Sequence, residues 1–245
     1  MKQQSNINKS FPKKSLGQNF IKNRDFIHKL SALIRSDNDT NIFEIGPGMG
    51  ALTDQLIKKE FKNLYLIEKD FLLFQNLEDK YKNDKNIFVS NSDAIDYNYE
   101  LINKSQKSLI VGNLPFNISS QLLIHWIVNY NWPPFYSKMV LMFQKEVANR
   151  IISKHNQKSY SRISVISQAR CEIKLLLDAP SNIFFPKPKV DGTILEFRPI
   201  TKYQGTDISN LQKLLRKSFE HRRKKIKTSL KDYDHLLKIL VSLSL

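Results

Sequence analysis

Asn113-Leu114-Pro115-Phe116 places two acceptors, a stiff turn and an aromatic face within one short stretch. That set suits the exocyclic amine of a nucleobase. Such an amine is a poor nucleophile because its lone pair is delocalised into the ring, and two acceptors set against its N–H bonds draw the nitrogen towards a tetrahedral shape. The Asn113 side-chain oxygen can be one acceptor and the Leu114 main-chain carbonyl the other, with Pro115 stiffening the turn that presents them. Phe116 offers a flat face to an extruded base. No dedicated general base is required, since the amine becomes acidic only after attack and can release its proton to water or to Asn113. Catalysis on this plan is mainly alignment, and the chemistry it suits is methylation of adenine N6.

A nucleoside-binding turn lies upstream, in Phe43-Glu44-Ile45-Gly46-Pro47-Gly48-Met49-Gly50. Gly46-x-Gly48-x-x-Ala51 satisfies the dinucleotide fingerprint, and Glu68 stands about twenty residues on, where a carboxylate accepts hydrogen bonds from two ribose hydroxyls. The glycines fit NAD and S-adenosylmethionine alike. Asp93, placed to accept a hydrogen bond from the cofactor's adenine amine, tilts the reading to the second. The histidines, at 28, 125, 155, 221 and 235, show no spacing for a hydride-site acid or base. Cys171, the single cysteine, excludes an intrachain disulfide and a cysteine-based zinc site, and no metal is expected.

These residues need strand ends to hold them. Strand-like apolar runs occupy 42–45, 64–68, 87–89, 109–111, 139–143, 173–177 and 193–197. Helix-like stretches occupy 24–35, 51–59, 71–81, 119–130, 145–154 and 160–169. Their alternation predicts an α/β fold with a mostly parallel, doubly wound sheet. Ligands in such sheets bind at the carboxyl ends of strands, where the glycine turn, Glu68, Asp93 and Asn113 all fall. From 208 onward the pattern is helical, through Leu211, Leu214, Leu215 and Phe219, so the chain divides into a domain over 1–200 and a small helical domain over 206–245.

The formal charge is +16, and residues 1–35 hold +7 of it and residues 206–245 hold +6. An excess gathered at both ends of a near-neutral middle suggests patches that grip a polyanion, nucleic acid above all. The densest cluster is Arg222-Arg223-Lys224-Lys225. No apolar stretch approaches the roughly 20 residues of a membrane span, and the polar N-terminus lacks a signal-peptide centre, so a cytoplasmic protein is expected. Phe184-Phe185-Pro186-Lys187-Pro188-Lys189-Val190 reads as a stiff aromatic and basic loop, with Phe184 as the opposite face of a base sandwich.

Taken together the chain resembles the ribosomal RNA adenine dimethyltransferases. The resemblance covers nearly its whole length and rests on Lys14-Ser15-Leu16-Gly17-Gln18-Asn19-Phe20, the glycine turn, Glu68, Asp93, Asn113 to Ser119, Gln144-Lys145-Glu146-Val147, the proline loop and His221 to Lys225. It implies a Rossmann-like class I S-adenosylmethionine-dependent methyltransferase sheet. Asn19 and Ile21 would close over the cofactor beside Gly46, Glu68, Asp93 and Asn113. The form Gly46 to Thr53 is closer to the small-subunit branch than to the macrolide-resistance branch. The implied reaction is dimethylation of two adjacent adenines in the 3'-terminal hairpin of 16S rRNA, within small ribosomal subunit particles, by a monomer with no membrane partner. The competing readings are a 23S rRNA adenine dimethylase and a non-catalytic RNA-binding factor on the same fold. Phe116 stands where the family usually has Tyr, and Gly192 where it tends to have Ser.

Overall fold

The computed structural model describes residues 12–13, 16–102, 107–203, 205, 207–220 and 230. In chain order the elements are β1 (Phe20–Ile21), α1 (Arg24–Leu33), β2 (Asn41–Ile45), α2 (Thr53–Leu56), β3 (Asn63–Glu68), α3 (Phe71–Tyr81), β4 (Ile87–Asn91) and α4 (Tyr99–Ile102). There follow β5 (Ser108–Gly112), α5 (Ser119–Val128), β6 (Lys138–Gln144), α6 (Lys145–Ile152), α7 (Arg162–Arg170), β7 (Cys171–Ala179), β8 (Phe184–Phe185), β9 (Gly192–Pro199) and α8 (Ile208–Glu220).

Strands β2 and β5 are buried at every position, the mark of strands covered on both faces. They form the centre of a seven-stranded sheet ordered β4-β3-β2-β5-β6-β9-β7. The five strands from β4 to β6 run parallel, whereas β9 is antiparallel to both β6 and β7. The mostly parallel, doubly wound α/β sheet predicted from alternation is therefore the observed one.

Alternation along the strands divides the core. Phe43, Ile45, Tyr65, Ile67 and Ile110 pack with Trp126 and Tyr99 on one face, while Ile42, Leu64, Leu66, Leu109 and Val111 pack with Leu30 and Leu56 on the other. Register then brings the strand ends together. Ile45 lies opposite Ile67 on one side and Gly112 on the other, and Glu68 lies opposite Asn91. Gly112 has to be small, because a Cβ there would meet the Ile45 carbonyl oxygen at 2.8 Å.

Three differences from the sequence reading are local. The helix expected over 51–59 shrinks to α2, because the glycine turn continues through residues 50–52 before regular helix begins. Strand β7 is longer than expected and its register shifts between Leu175 and Leu177, which breaks the period across three consecutive leucines. Strands β1 and β8 form a two-stranded antiparallel ribbon pairing Phe20 with Phe185 and Ile21 with Phe184. Two-residue strands carry no periodic signal, so this pairing is invisible in the sequence. Among residues 206–245, α8 packs against α7 with Leu215 buried, and Phe219 meets the ring of Tyr160, which precedes α7, with centroids 6.0 Å apart.

Candidate active site

A cavity of about 180 Å³ opens at the carboxyl ends of β2, β3 and β5. Gly46, Glu68, Asp93, Asn113 and Phe116 line it, and Leu16 to Phe20 form its remaining wall. The glycine turn is left-handed at Gly46 (φ 62°) and Gly48 (φ 60°), a conformation that glycine adopts freely. At Gly46 no atom lies within 4 Å of where a Cβ would be, so the backbone is bare towards the cavity. Gly48 answers a different need, since a Cβ there would strike the Phe20 ring at 2.8 Å.

Glu68 is 6% exposed, and each of its oxygens takes a main-chain N–H, Oε2 from Gly48 at 3.1 Å and Oε1 from Asp70 at 2.8 Å. Burial raises its pKa above the ordinary value and the neighbouring Asp70 charge adds to the rise, against the pull of these bonds. A carboxylate oxygen can accept more than one hydrogen bond, so both keep capacity for hydroxyl donors in the cavity. Asp93 follows β4 and accepts from the Ile95 N–H at 3.0 Å and from the Lys69 ammonium at 2.6 Å. Burial pushes this carboxyl up, but those two donors outweigh it and hold the pKa below the ordinary value. Lys69 itself lines the cavity, a position that sequence pattern did not single out.

Asn113 follows the last residue of β5. Its side-chain NH2 donates to the Asn19 carbonyl at 2.8 Å, which leaves Oδ1 as the group available to accept. The Pro115 carbonyl accepts from the N–H groups of Ile118 and Ser119, and the Phe116 carbonyl accepts from the Ser119 hydroxyl. Among the described residues no donor engages the Leu114 carbonyl, so the local turn consumes the two acceptors that follow it and spares this one.

Lys13 and residues 16–20 strap the two halves of the site together. The Lys13 ammonium and the Gln18 amide both donate to Asp70, at 3.0 and 3.1 Å. Asp70 caps α3 by accepting from the Leu72 N–H at 3.0 Å. Burial raises its pKa, but the Lys13, Gln18 and Leu72 donors bring it below the ordinary value. The sequence reading singled out neither the Asp70 cap nor the Gln18 contact. Further along the strap, Asn19 holds Asn113, and Gly17 comes close enough to Asn117 that a Cβ would sit 2.7 Å from its side-chain oxygen.

Two expected site residues are placed differently. Phe184 is 1% exposed and meets Phe116 edge to face, with ring centroids 6.3 Å apart and planes at 69°. Its pairing with Ile21 turns it into the core, so it backs the Phe116 ring and does not form a second open face for a base. Ile21 is likewise buried and outside the cavity wall, where it fastens the strap and does not face a ligand. Arg222, Arg223, Lys224 and Lys225 lie outside the described residues. Among the described residues no group of three or more His, Cys, Asp or Glu is placed to hold a metal ion, and no helix is long and apolar enough to cross a membrane.

A family model described as ribosomal RNA adenine dimethylase matches residues 9–238. The ribosomal RNA small subunit methyltransferase A of Pelagibacter ubique is 40% identical over 216 residues, which span 88% of this chain and 81% of that protein. Among solved structures, a dimethyladenosine transferase from Plasmodium falciparum is similar with a TM-score of 0.76 and 26% identity, covering 92% of this chain and 82% of the other. The 23S rRNA methyltransferase ErmE shares the fold with a TM-score of 0.70 at 22% identity, over 87% and 84% of the two chains. Since the family match begins ahead of the strap and runs beyond α8, taking in the cavity and every strand around it, the chain belongs to the ribosomal RNA adenine dimethylase family.

Proposed function

We propose that this protein is an S-adenosylmethionine-dependent rRNA adenine N6,N6-dimethyltransferase that modifies two adjacent adenines in the 3'-terminal hairpin of 16S rRNA, in small-subunit particles. One observation carries the chemical half of the reading. The Asn113 amide is locked with its NH2 on Asn19 and its oxygen free, beside an unengaged Leu114 carbonyl, which is a pair of acceptors ready for the two N–H bonds of one amine. The similarity to relatives named as small-subunit methyltransferases supports the substrate half.

The cavity residues fit the cofactor. Bare backbone at Gly46, the remaining acceptor capacity of Glu68 and the carboxylate of Asp93 suit a glycine-turn approach, a ribose diol and an adenine amine. When bound, S-adenosylmethionine supplies an electrophilic methyl group. The protein does the rest by placement. Asn113 Oδ1 and the Leu114 carbonyl hold the target amine and sharpen its lone pair, Phe116 supports the base by stacking, and the strap covers the cavity so that attack occurs away from bulk water. The amine loses its proton to water after attack. Segment 206–245, with Arg222 to Lys225, docks the RNA.

The direct test is transfer from methyl-labelled cofactor to separated subunits lacking the modification, followed by mass spectrometry of the rRNA. Label on adenines of small-subunit rRNA is the expected result. Label confined to the large subunit would instead support the 23S reading that the ErmE fold keeps in view, and no label on either would leave a binding protein on this fold.

A further inference from the structure

The segment after the Ile183 turn alternates. Phe184, Pro186 and Pro188 are buried or half-buried, while Phe185, Lys187 and Lys189 are exposed. Phe185 is 57% exposed, more than any other large hydrophobic side chain among the described residues. An aromatic ring left in water beside two lysines is not explained by packing. Its position is specific. Directly opposite residues of an antiparallel pair share a face of the ribbon, so Phe185 shares a face with Phe20, which lines the cavity, while Ile21 and Phe184 share the buried face. The ring therefore stands at the rim of the cavity, one residue along the chain from the ring that backs Phe116.

The charges around it are also sorted. Asp191 is committed to the Ser181 N–H at 2.7 Å, and Asp178 to the Thr193 hydroxyl at 2.8 Å and Lys145 at 3.7 Å. Neither Lys187 nor Lys189 makes an ion pair within 4 Å among the described residues, although Lys187 lies close enough to Asp191 for its charge to help hold that carboxyl below the ordinary value. An exposed ring followed by two exposed cations that carry no close ion pair matches a single-stranded nucleic acid, whose bases stack on aromatic faces and whose phosphates meet cations. A protein partner would need two carboxylates at the right spacing beside an apolar contact for the ring, whereas a nucleic-acid strand brings a base and a phosphate with every nucleotide.

We propose that Phe185, with Lys187 and Lys189, forms a stacking platform for a nucleotide that flanks the target adenine, distinct from the Phe116 face that takes the target itself. This inference rests on the reading of the cavity as a small-subunit rRNA methyltransferase site. It assigns Phe185 to holding the strand and not to chemistry, so its loss weakens capture of RNA and spares the transfer step.

The experiment is methyl transfer to unmodified small-subunit particles by the full chain, comparing wild type with Phe185→Ala, Phe185→Leu and Phe185→Tyr. Phe185→Ala should raise KM for particles roughly ten-fold, within the range for loss of one base–aromatic stack, with kcat and cofactor Kd unchanged. Phe185→Leu, which keeps bulk but no flat ring, should behave like the alanine variant, and Phe185→Tyr should restore wild-type KM. Unchanged KM in the alanine variant, or full rescue by leucine, overturns the platform while the transferase reading stands. A wild-type chain that labels no small-subunit adenine removes both. The substitution lies on an exposed ring, and matching thermal unfolding of the variants confirms that folding is not what KM reports.

Discussion

Asn113 serves two masters through one amide. Its NH2 holds the strap at the Asn19 carbonyl, and that bond aims its oxygen at the cavity. Asn113→Ala therefore removes a preorganised acceptor and a tether together. Transfer should fall by roughly 10²-fold or more, while cofactor affinity should stay within about tenfold, because on the proposed reading Glu68 and Asp93 would hold the nucleoside end. Single-turnover rates and a cofactor titration separate the two, and near-normal turnover would sink the mechanism. Glu44 shows a different residue-scale effect. It is 2% exposed under the glycine turn, accepts from the Thr53 hydroxyl at 2.7 Å, and burial pushes its pKa up to about 8. Between its ordinary value and that one the folded chain keeps a proton that the unfolded chain releases, so this group's contribution to stability is full at low pH and is lost as pH rises through about 8. Glu44→Gln should flatten that loss. Urea midpoints at about pH 5 and about pH 9 check it, and the variant's advantage over wild type should grow with pH.

The strap and helix α3 meet at Asp70, and the consequences of that junction belong to elements. Asp70 caps α3, receives Lys13 and Gln18, and through its own N–H holds one oxygen of Glu68. Asp70→Ala should cost about 1 kcal/mol of stability for the lost cap, and it should also weaken cofactor binding by freeing the strap. Asp70→Asn keeps an oxygen for the cap and loses the charge facing Lys13, so it should recover the stability and only part of the affinity. Isothermal titration beside urea unfolding reads both quantities; a variant that loses stability but binds cofactor normally would show that the strap is not tied to the cavity through this residue. The elements were unevenly legible beforehand. Strands β2, β3 and β5 announced themselves as apolar runs, and with them the positions of Gly46, Glu68 and Asn113, because chemistry at strand ends is fixed once the strands are. Phe184 was misread because which way it faces depends on pairing with Ile21, far away in sequence, and a two-residue strand has no period to read. Lys69 escaped notice, and Gln18 entered only as part of the segment that carries the resemblance, for a related reason, since both act by bridging segments that only the fold brings together.

Charge distribution is a property of the whole molecule. The two ends carry most of the +16, and apart from residues 16–20 the cavity lining lies between them in sequence. Neutralising Arg222, Arg223, Lys224 and Lys225 together should weaken RNA binding without altering cofactor affinity. The slope of log affinity against log salt should flatten by up to about 0.7 to 0.9 per phosphate contact removed, and largely without regard to sequence, because phosphate contacts position while base contacts specify. A salt titration of the quadruple variant against small-subunit particles measures it. An unchanged slope would transfer the docking role to the basic N-terminal segment.

Anchored on both sides of the cavity, the strap also bears on tempo. Its residues 16–20 form one wall, and the Asn19 carbonyl in that wall holds the amide that presents the acceptor. Any ligand that enters or leaves past this wall disturbs the aim of Asn113. A reaction that consumes one methyl donor per transfer and repeats on the same base must therefore reload between strokes, and each reloading resets the alignment. On the proposed function, turnover would then proceed as discrete rounds, with the Asn113–Asn19 bond set again in each of them.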